Sequence, residues 1–272
     1  MKFSSTLRQC VIAVCTTSIG LFAATAAYAQ AYPTKPIKFV VPFGAGTATD
    51  SVGRILAQAM GDALGQTITI ENKAGANGIP GADLVKTAVG DPYTLLVTTS
   101  TTQAANVSLY KKLPYDPVKD FTPIGKIGET GFILMVKPEF PAKDMKEFLA
   151  HAKTNKLSYG HGSSGSLVSG ALVAQLGGFE ALSVPYKSIP PALTDLMGGQ
   201  LQYAFADVGN AVTQMNGGRL KGLGVTTVKR AGKAPNVPPI GDTIKGYEVS
   251  AWFALMAPAN IPADAAKKLA DT

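Results

Sequence analysis

The chain has 272 residues, 46% of them hydrophobic and 16% charged, and a formal net charge of +7. That apolar share supports a sizeable core and excludes general disorder. With only two cysteines, Cys10 and Cys15, and two histidines, His151 and His161, there is no basis for a disulfide framework or a Cys-rich zinc site.

The first segment reads as an export signal. Lys2 and Arg8 precede an uncharged stretch that lasts to Lys35, and residues 11–27 within it are mostly apolar and small. The stretch ends in Ala27-Tyr28-Ala29, a small-x-small site for a signal peptidase. Thr16, Thr17, Ser18 and Gly20 interrupt the run, which is short for a span of about 20 apolar residues. Residues 1–29 are therefore expected to leave as a secretory signal peptide cut after Ala29, taking both cysteines with them.

Residues 37–43 read as a buried strand, followed by a Gly-rich turn at 44–50. Val52, Ile55, Leu56, Ala59, Met60, Ala63 and Leu64 then recur at three and four, the apolar face of a helix that Gly65 stops. Strands at 67–70 and 93–97 and helices at 82–88 and 103–110 continue the pattern. Strands alternating with helices point to a parallel sheet covered on both faces. Near Ile124 the pattern changes, with extended segments at 126–130 and 132–137 and no long helix between them. A second α/β set follows, with helices at 143–152, 167–176, 191–197 and 211–215 and strands at 157–159, 201–206 and 222–226. A last strand falls at 252–257. Two α/β units joined by extended crossings imply two lobes with a cleft between them. The expected division is lobe I at 30–125, lobe II at 126–250 and a return to lobe I at 251–272.

Three loops could carry chemistry. The turn 44–50 joins a strand to a helix, where open α/β sheets bind ligands and a helix start attracts anions. Gly44 and Gly46 allow close approach to the backbone, and Thr47 and Thr49 add hydroxyl donors. The plainer alternative is a turn in which Thr49 or Asp50 only caps the helix. Residues 160–166, Gly-His-Gly-Ser-Ser-Gly-Ser, have the same placement and could form a second nest of donors. They fail the hydrolase pattern G-x-S-x-G, and His161 lacks an obvious Asp partner. The run Thr98-Thr99-Ser100-Thr101-Thr102-Gln103 is the third; the alternative is simple β-formers and a cap. Arg54, Arg219 and Arg230 lie outside all three loops, so an anion there would meet neutral donors. Lys111-Lys112 and Lys267-Lys268 are pairs rather than a basic stripe, which argues against nucleic acid.

Taken together, Tyr32-Pro33-Thr34-Lys35-Pro36-Ile37, Val41-Pro42-Phe43 with Gly46 and Asp50, Glu71-Asn72-Lys73-Ala74-Gly75-Ala76 and Asp91-Pro92-Tyr93-Thr94-Leu95-Leu96 have a family look. So do Leu113-Pro114-Tyr115-Asp116, Val184-Pro185-Tyr186-Lys187 and Ser250-Ala251-Trp252-Phe253. The sequence resembles the Bug family, the periplasmic solute receptors of tripartite tricarboxylate transporters.

The resemblance implies a two-lobed, type II periplasmic-binding-protein fold with mostly parallel sheets, closing on a small organic carboxylate. It implies a periplasmic, non-enzymatic and monomeric receptor that delivers its ligand to a membrane permease, with no cofactor, metal or nucleic acid. In it, the first loop and the loop opening the second lobe hold carboxylate oxygens. Those positions match Phe43, Gly44, Gly46, Thr47, Thr49 and Asp50, and Gly162, Ser163, Ser164 and Ser166; Thr99 and Ser100 join them from the third loop. Thr47 stands where the family usually has a second Gly, and Ser166 and Gln103 stand where it often has His. Asp207, ending a strand of the second lobe, is expected at the cleft, where it would favour an ammonium or hydroxyl group on the ligand; the alternative is a turn cap. The chain stops at Thr272, where the family continues with helices and a strand that complete the first lobe, as in a truncated product. Two other readings are a secreted hydrolase using His161 and Ser164, and a ligand receptor for a sensor kinase.

Overall fold

A computed structural model describes residues 32–272. Cys10, Cys15 and the expected cut after Ala29 lie outside the described residues. The chain begins with β1 (Ile37–Val41), α1 (Ala48–Leu64), β2 (Ile68–Asn72), α2 (Ile79–Lys86) and β3 (Thr94–Thr99). A π-helical turn (Thr101–Ala105) runs into the short α3 (Asn106–Leu109). The long β4 (Phe121–Thr130) is followed by β5 (Phe132–Val136), α4 (Met145–Ala152), β6 (Leu157–His161) and α5 (Ser164–Gly177). Next come β7 (Ala181–Pro185), α6 (Ile189–Met197), β8 (Tyr203–Asp207), α7 (Val208–Asn216) and β9 (Lys221–Val225), then β10 (Ala251–Pro258) and α8 (Ala263–Asp271).

These strands form two five-stranded sheets, ordered β2-β1-β3-β10-β4 and β7-β6-β8-β5-β9. In each sheet the first three strands are parallel and the last two pair antiparallel. The parallel portions come from the strand–helix alternation visible in the sequence. The antiparallel strands arise at the crossings: β4 leaves the first sheet, β5 enters the second one residue later, and β10 returns. Strand β4 stays in the first sheet as far as Thr130, so it runs through the 125/126 position where the sequence suggested a lobe boundary.

Alternation along each central strand fills both faces of its sheet. In β1, Phe39 and Val41 pack into one cluster and Val40 into the opposite one. In β5, Leu134 and Val136 serve one face and Ile133 and Met135 the other. All of these side chains are fully buried, which is why the strands read as unbroken apolar runs. Two elements escape such a reading. Strand β7 is an edge strand without a fully buried residue, and α8 buries only Ala265 and Leu269.

The two crossings are tied to one buried residue, Thr226, just after β9. Its Oγ1 accepts the Phe132 N–H at 2.9 Å and donates to the Val249 carbonyl at 2.6 Å. Its backbone N–H donates to the Phe132 carbonyl, and its carbonyl accepts the Val249 N–H. The isosteric Thr226→Val change would leave a buried donor and a buried acceptor unpaired. It is expected to cost about 2–4 kcal/mol, read as a lower midpoint in urea unfolding.

Candidate functional site

The helix starts at 47 and 163 face one cavity between the sheets. It is lined from the first sheet's side by Phe43, Thr47, Ala48, Thr49, Thr99 and Thr101, and from the second by Phe132, Gly162, Ser163, Ile189 and Asp207. Thr130, Ala251 and Phe253, at or beside the crossings, complete the wall. The cavity volume is about 50 Å³.

The first loop is organised by its own side chains. Thr47 caps α1: its Oγ1 accepts the Asp50 N–H at 3.3 Å and donates to the Gly44 carbonyl at 2.8 Å. Asp50 accepts from the Gly46 N–H (3.0 Å), Arg54 Nε (3.0 Å) and Asn72 Nδ2 (2.9 Å). Asn72, on β2, also donates to the Phe43 carbonyl at 3.0 Å. Burial alone would raise the Asp50 carboxyl, but the hydrogen bonds from Arg54, Asn72 and Gly46, with the Arg54 charge, hold it below the usual aspartate range. Asp50 is therefore the hub of the loop and does not line the cavity. The N–H groups of Ala48 and Thr49 have no acceptor among the described residues, and neither does the Thr49 hydroxyl. The free donors of α1 thus belong to residues that line the cavity.

The second loop repeats the logic with neutral groups. Ser163 caps α5, and Ser166 closes a capping box by accepting the Gly162 and Ser163 N–H groups, each at 3.1 Å. Ser166 is buried and serves the turn. The N–H groups of Ser164 and Gly165 are left without acceptors among the described residues. Gly162 is required by packing, since a Cβ there would lie 2.2 Å from the Ser188 carbonyl carbon. The sequence placed this helix start at 167; the Ser-Ser-Gly-Ser run that reads as a loop is its cap and first turn.

Two contacts join the sides of the cleft. Ser164 Oγ donates to Thr101 Oγ1 at 2.8 Å, in a buried position. Gly44 abuts Ser188, so that a Cβ at 44 would lie 3.0 Å from its Oγ. In the hydroxyl run, Thr98 and Thr102 bond each other, and Thr99 Oγ1 accepts the Thr101 N–H at 3.1 Å. Thr99 and Thr101 line the cavity, whereas Ser100 does not.

Of the thirteen residues singled out from the sequence, Phe43, Thr47, Thr49, Thr99, Gly162, Ser163 and Asp207 line the cavity. Gly46 is exposed on the turn, and Gly44 and Ser164 serve the contact between the sides. Ser100, Asp50 and Ser166 lie off the cavity wall. The cavity is also lined by Ala48 and Thr101, which lie within two of the candidate loops but were not named as site residues, and by Thr130, Phe132, Ile189, Ala251 and Phe253, which the sequence reading missed. Ala48 and Thr101 sit beside called residues; the others are apolar or at crossings and carry no local signal. His161 is half-buried beside Tyr159, burial lowers its pKa, and it does not line the cavity. Ser164 is bonded to Thr101 rather than to His161.

Residues 52–272 match the family described as the tripartite tricarboxylate transporter family receptor, TctC. The chain belongs to this family. The solved structure of the periplasmic binding protein BugD matches with a TM-score of 0.82 at 33% identity, covering 88% of this chain and 81% of that one. MatC from Rhodopseudomonas palustris, with bound malate, gives 0.80 at 34% identity, covering 88% and 83%. An R. palustris protein with adipate gives 0.85 at 30% identity, covering 88% and 81%. TctC receptors of this kind are periplasmic solute-binding proteins, and this receptor is accordingly a binding protein and not a hydrolase.

Because Asp50 holds the first loop of the receptor together, Asp50→Asn is expected to lower stability at pH 7 by about 1–3 kcal/mol. Its carboxyl is depressed in the folded state, so its contribution is present above the unfolded value and lost as pH falls through the folded one. Denaturant unfolding of both proteins should show a gap that narrows below about pH 4.

Proposed function

We propose that this receptor captures a small organic carboxylate in the cavity between its sheets and presents it, with the lobes closed, to a membrane permease. The observation that carries the reading is the capped start of α1, whose unpaired Ala48 and Thr49 N–H groups line one cavity with the Thr49 and Thr101 hydroxyls, opposite the capped start of α5 at Gly162 and Ser163. A carboxylate there meets neutral donors and two helix N-termini. The malate and adipate held by two similar proteins support the same ligand class. Ligand capture shifts an open–closed equilibrium because only the closed form brings both sets of donors within reach. The mature receptor begins at Gln30, after removal of residues 1–29, and acts in the periplasm.

A thermal-shift screen of organic acids on the folded protein tests this. At a concentration 100 times Kd, a cognate acid should stabilise the fold by about 2.7 kcal/mol. For a chain of this size that is a rise of about 5–10 °C. Absence of a shift with every organic anion would remove the reading. Gly44→Val places a branched side chain against Ser188 and should hold the sides apart. It is expected to weaken the same ligand by at least about tenfold in calorimetric titration, with the ligand-free melting temperature little changed.

A further inference from the structure

Three helices begin at the cavity wall, and they are not capped alike. α1 is capped by Thr47 and α5 by Ser163, both neutral. α7 is capped by Asp207, whose Oδ1 accepts the Asn210 N–H at 3.0 Å and whose Oδ2 accepts Asn210 Nδ2 at 2.8 Å. Asp207 is only 7% exposed, and what it exposes faces this cavity and the larger groove between α1 and α7 that opens from it.

Capping does not require an acid at this position. Serine, threonine or asparagine would satisfy the same N–H groups without placing a charge in a buried site. A buried carboxylate is normally matched by a cation. Asp207 has none among the described residues: it enters no ion pair, and no lysine or arginine lines the cavity. The lysine of the adjoining groove, Lys233, makes no ion pair with it, and Glu129 in the same groove is held by Lys126. Each oxygen accepts one hydrogen bond, from Asn210, and retains capacity for another.

The cavity therefore carries two kinds of wall. The starts of α1 and α5 contribute partial positive charge, α1 with free N–H donors at the wall, while Asp207 contributes acceptors and a negative charge. We propose that Asp207 selects a ligand bearing an ammonium group as well as a carboxylate, a small zwitterionic amino acid, and disfavours the same acid without its amine. This rests on the carboxylate-receptor reading above and adds to it the second recognised group. A ligand with carboxylates at both ends would place one of them against Asp207, where like charges repel at low dielectric.

The test uses matched ligand sets on the folded protein by calorimetric titration: alanine, lactate and propionate; aspartate, malate and succinate; 4-aminobutyrate and butyrate. In the wild type, at least one amino acid should bind about tenfold or more tightly than its amine-free counterpart. In Asp207→Asn, which keeps a capping side chain, that ratio should collapse by about tenfold or more, with the amine-free acid binding as well or better. Asp207→Ser, another neutral cap, guards against a folding defect in the first variant. An amine-free or hydroxy acid that binds as tightly as its amino counterpart, with a ratio unmoved by Asp207→Asn, overturns the inference and leaves the carboxylate reading standing. A preference for the hydroxy acid that is lost in Asp207→Asn overturns the ammonium assignment too. Binding of none of these acids to folded protein overturns both.

Discussion

An α-helix leaves its first N–H groups without internal acceptors, and this receptor starts three helices at one cavity. The geometry of the site follows from how those groups are shared out. Thr47 and Asp50 at α1, and Ser163 and Ser166 at α5, each satisfy N–H groups of their own turn. What remains unpaired is the N–H of Ala48 and Thr49 at α1 and of Ser164 and Gly165 at α5, whereas at α7 the Val208 N–H donates to the Gly131 carbonyl. The caps therefore do two things with one set of bonds: they hold a Gly-rich turn in shape, and they leave its donors unused. Because the turns are fixed in advance, little ordering entropy is lost when a ligand replaces water.

The two sides of the cavity belong to different sheets, and their relation is set at the crossings. β4 and β5 are separated by Gly131 alone, and the return to β10 passes Val249. Thr226 bonds both crossings through side chain and backbone, so the two connections share a node that is buried and fully hydrogen-bonded. Thr130, Phe132, Ala251 and Phe253 lie at or next to these crossings and also line the cavity. Rotation of one sheet relative to the other would move those residues together with the cavity wall. The cavity wall and the crossings are thus adjacent in the structure, so the proposed closure needs no long path of coupling.

Much of the fold could be read locally. β1, β3, β5 and β8 are buried on both faces and appear as apolar runs. α1 was legible as a helix, but its buried face runs through Gly53, Ala57 and Met60, and Ile55, Ala59 and Ala63 of the expected stripe are exposed. What escaped was set by distant partners. β7 pairs only with β6 and buries little, so it has no apolar run to announce it. Asp50 reads as a ligand group because it follows a glycine turn. Its actual duty depends on Asn72, one strand away, and on Arg54 one turn later. Ser166 is the same case, a hydroxyl in a donor-rich loop that turns back on its own N–H groups. Local sequence marks where polar groups gather. Which of them stay free depends on who else competes for them, and that is a property of the folded chain.

The absence of a guanidinium from the cavity lining has a physical consequence for closure. Arg54, one turn into α1, is committed to Asp50 and half exposed. A cation in the cavity would attract an anion from several ångströms away, in the open and closed arrangements alike. Neutral donors act only at hydrogen-bond distance. An anion touching one side then gains half of its contacts, and the other half only when the second side arrives. A ligand shifts a conformational equilibrium by its difference in affinity between the two states, not by its total affinity. In the proposed closure, short-range donors split between two sheets would place about half of the contacts in that difference. The same arrangement would favour release, because separating the sides withdraws half of the contacts at once and leaves no cationic side chain to retain the ligand.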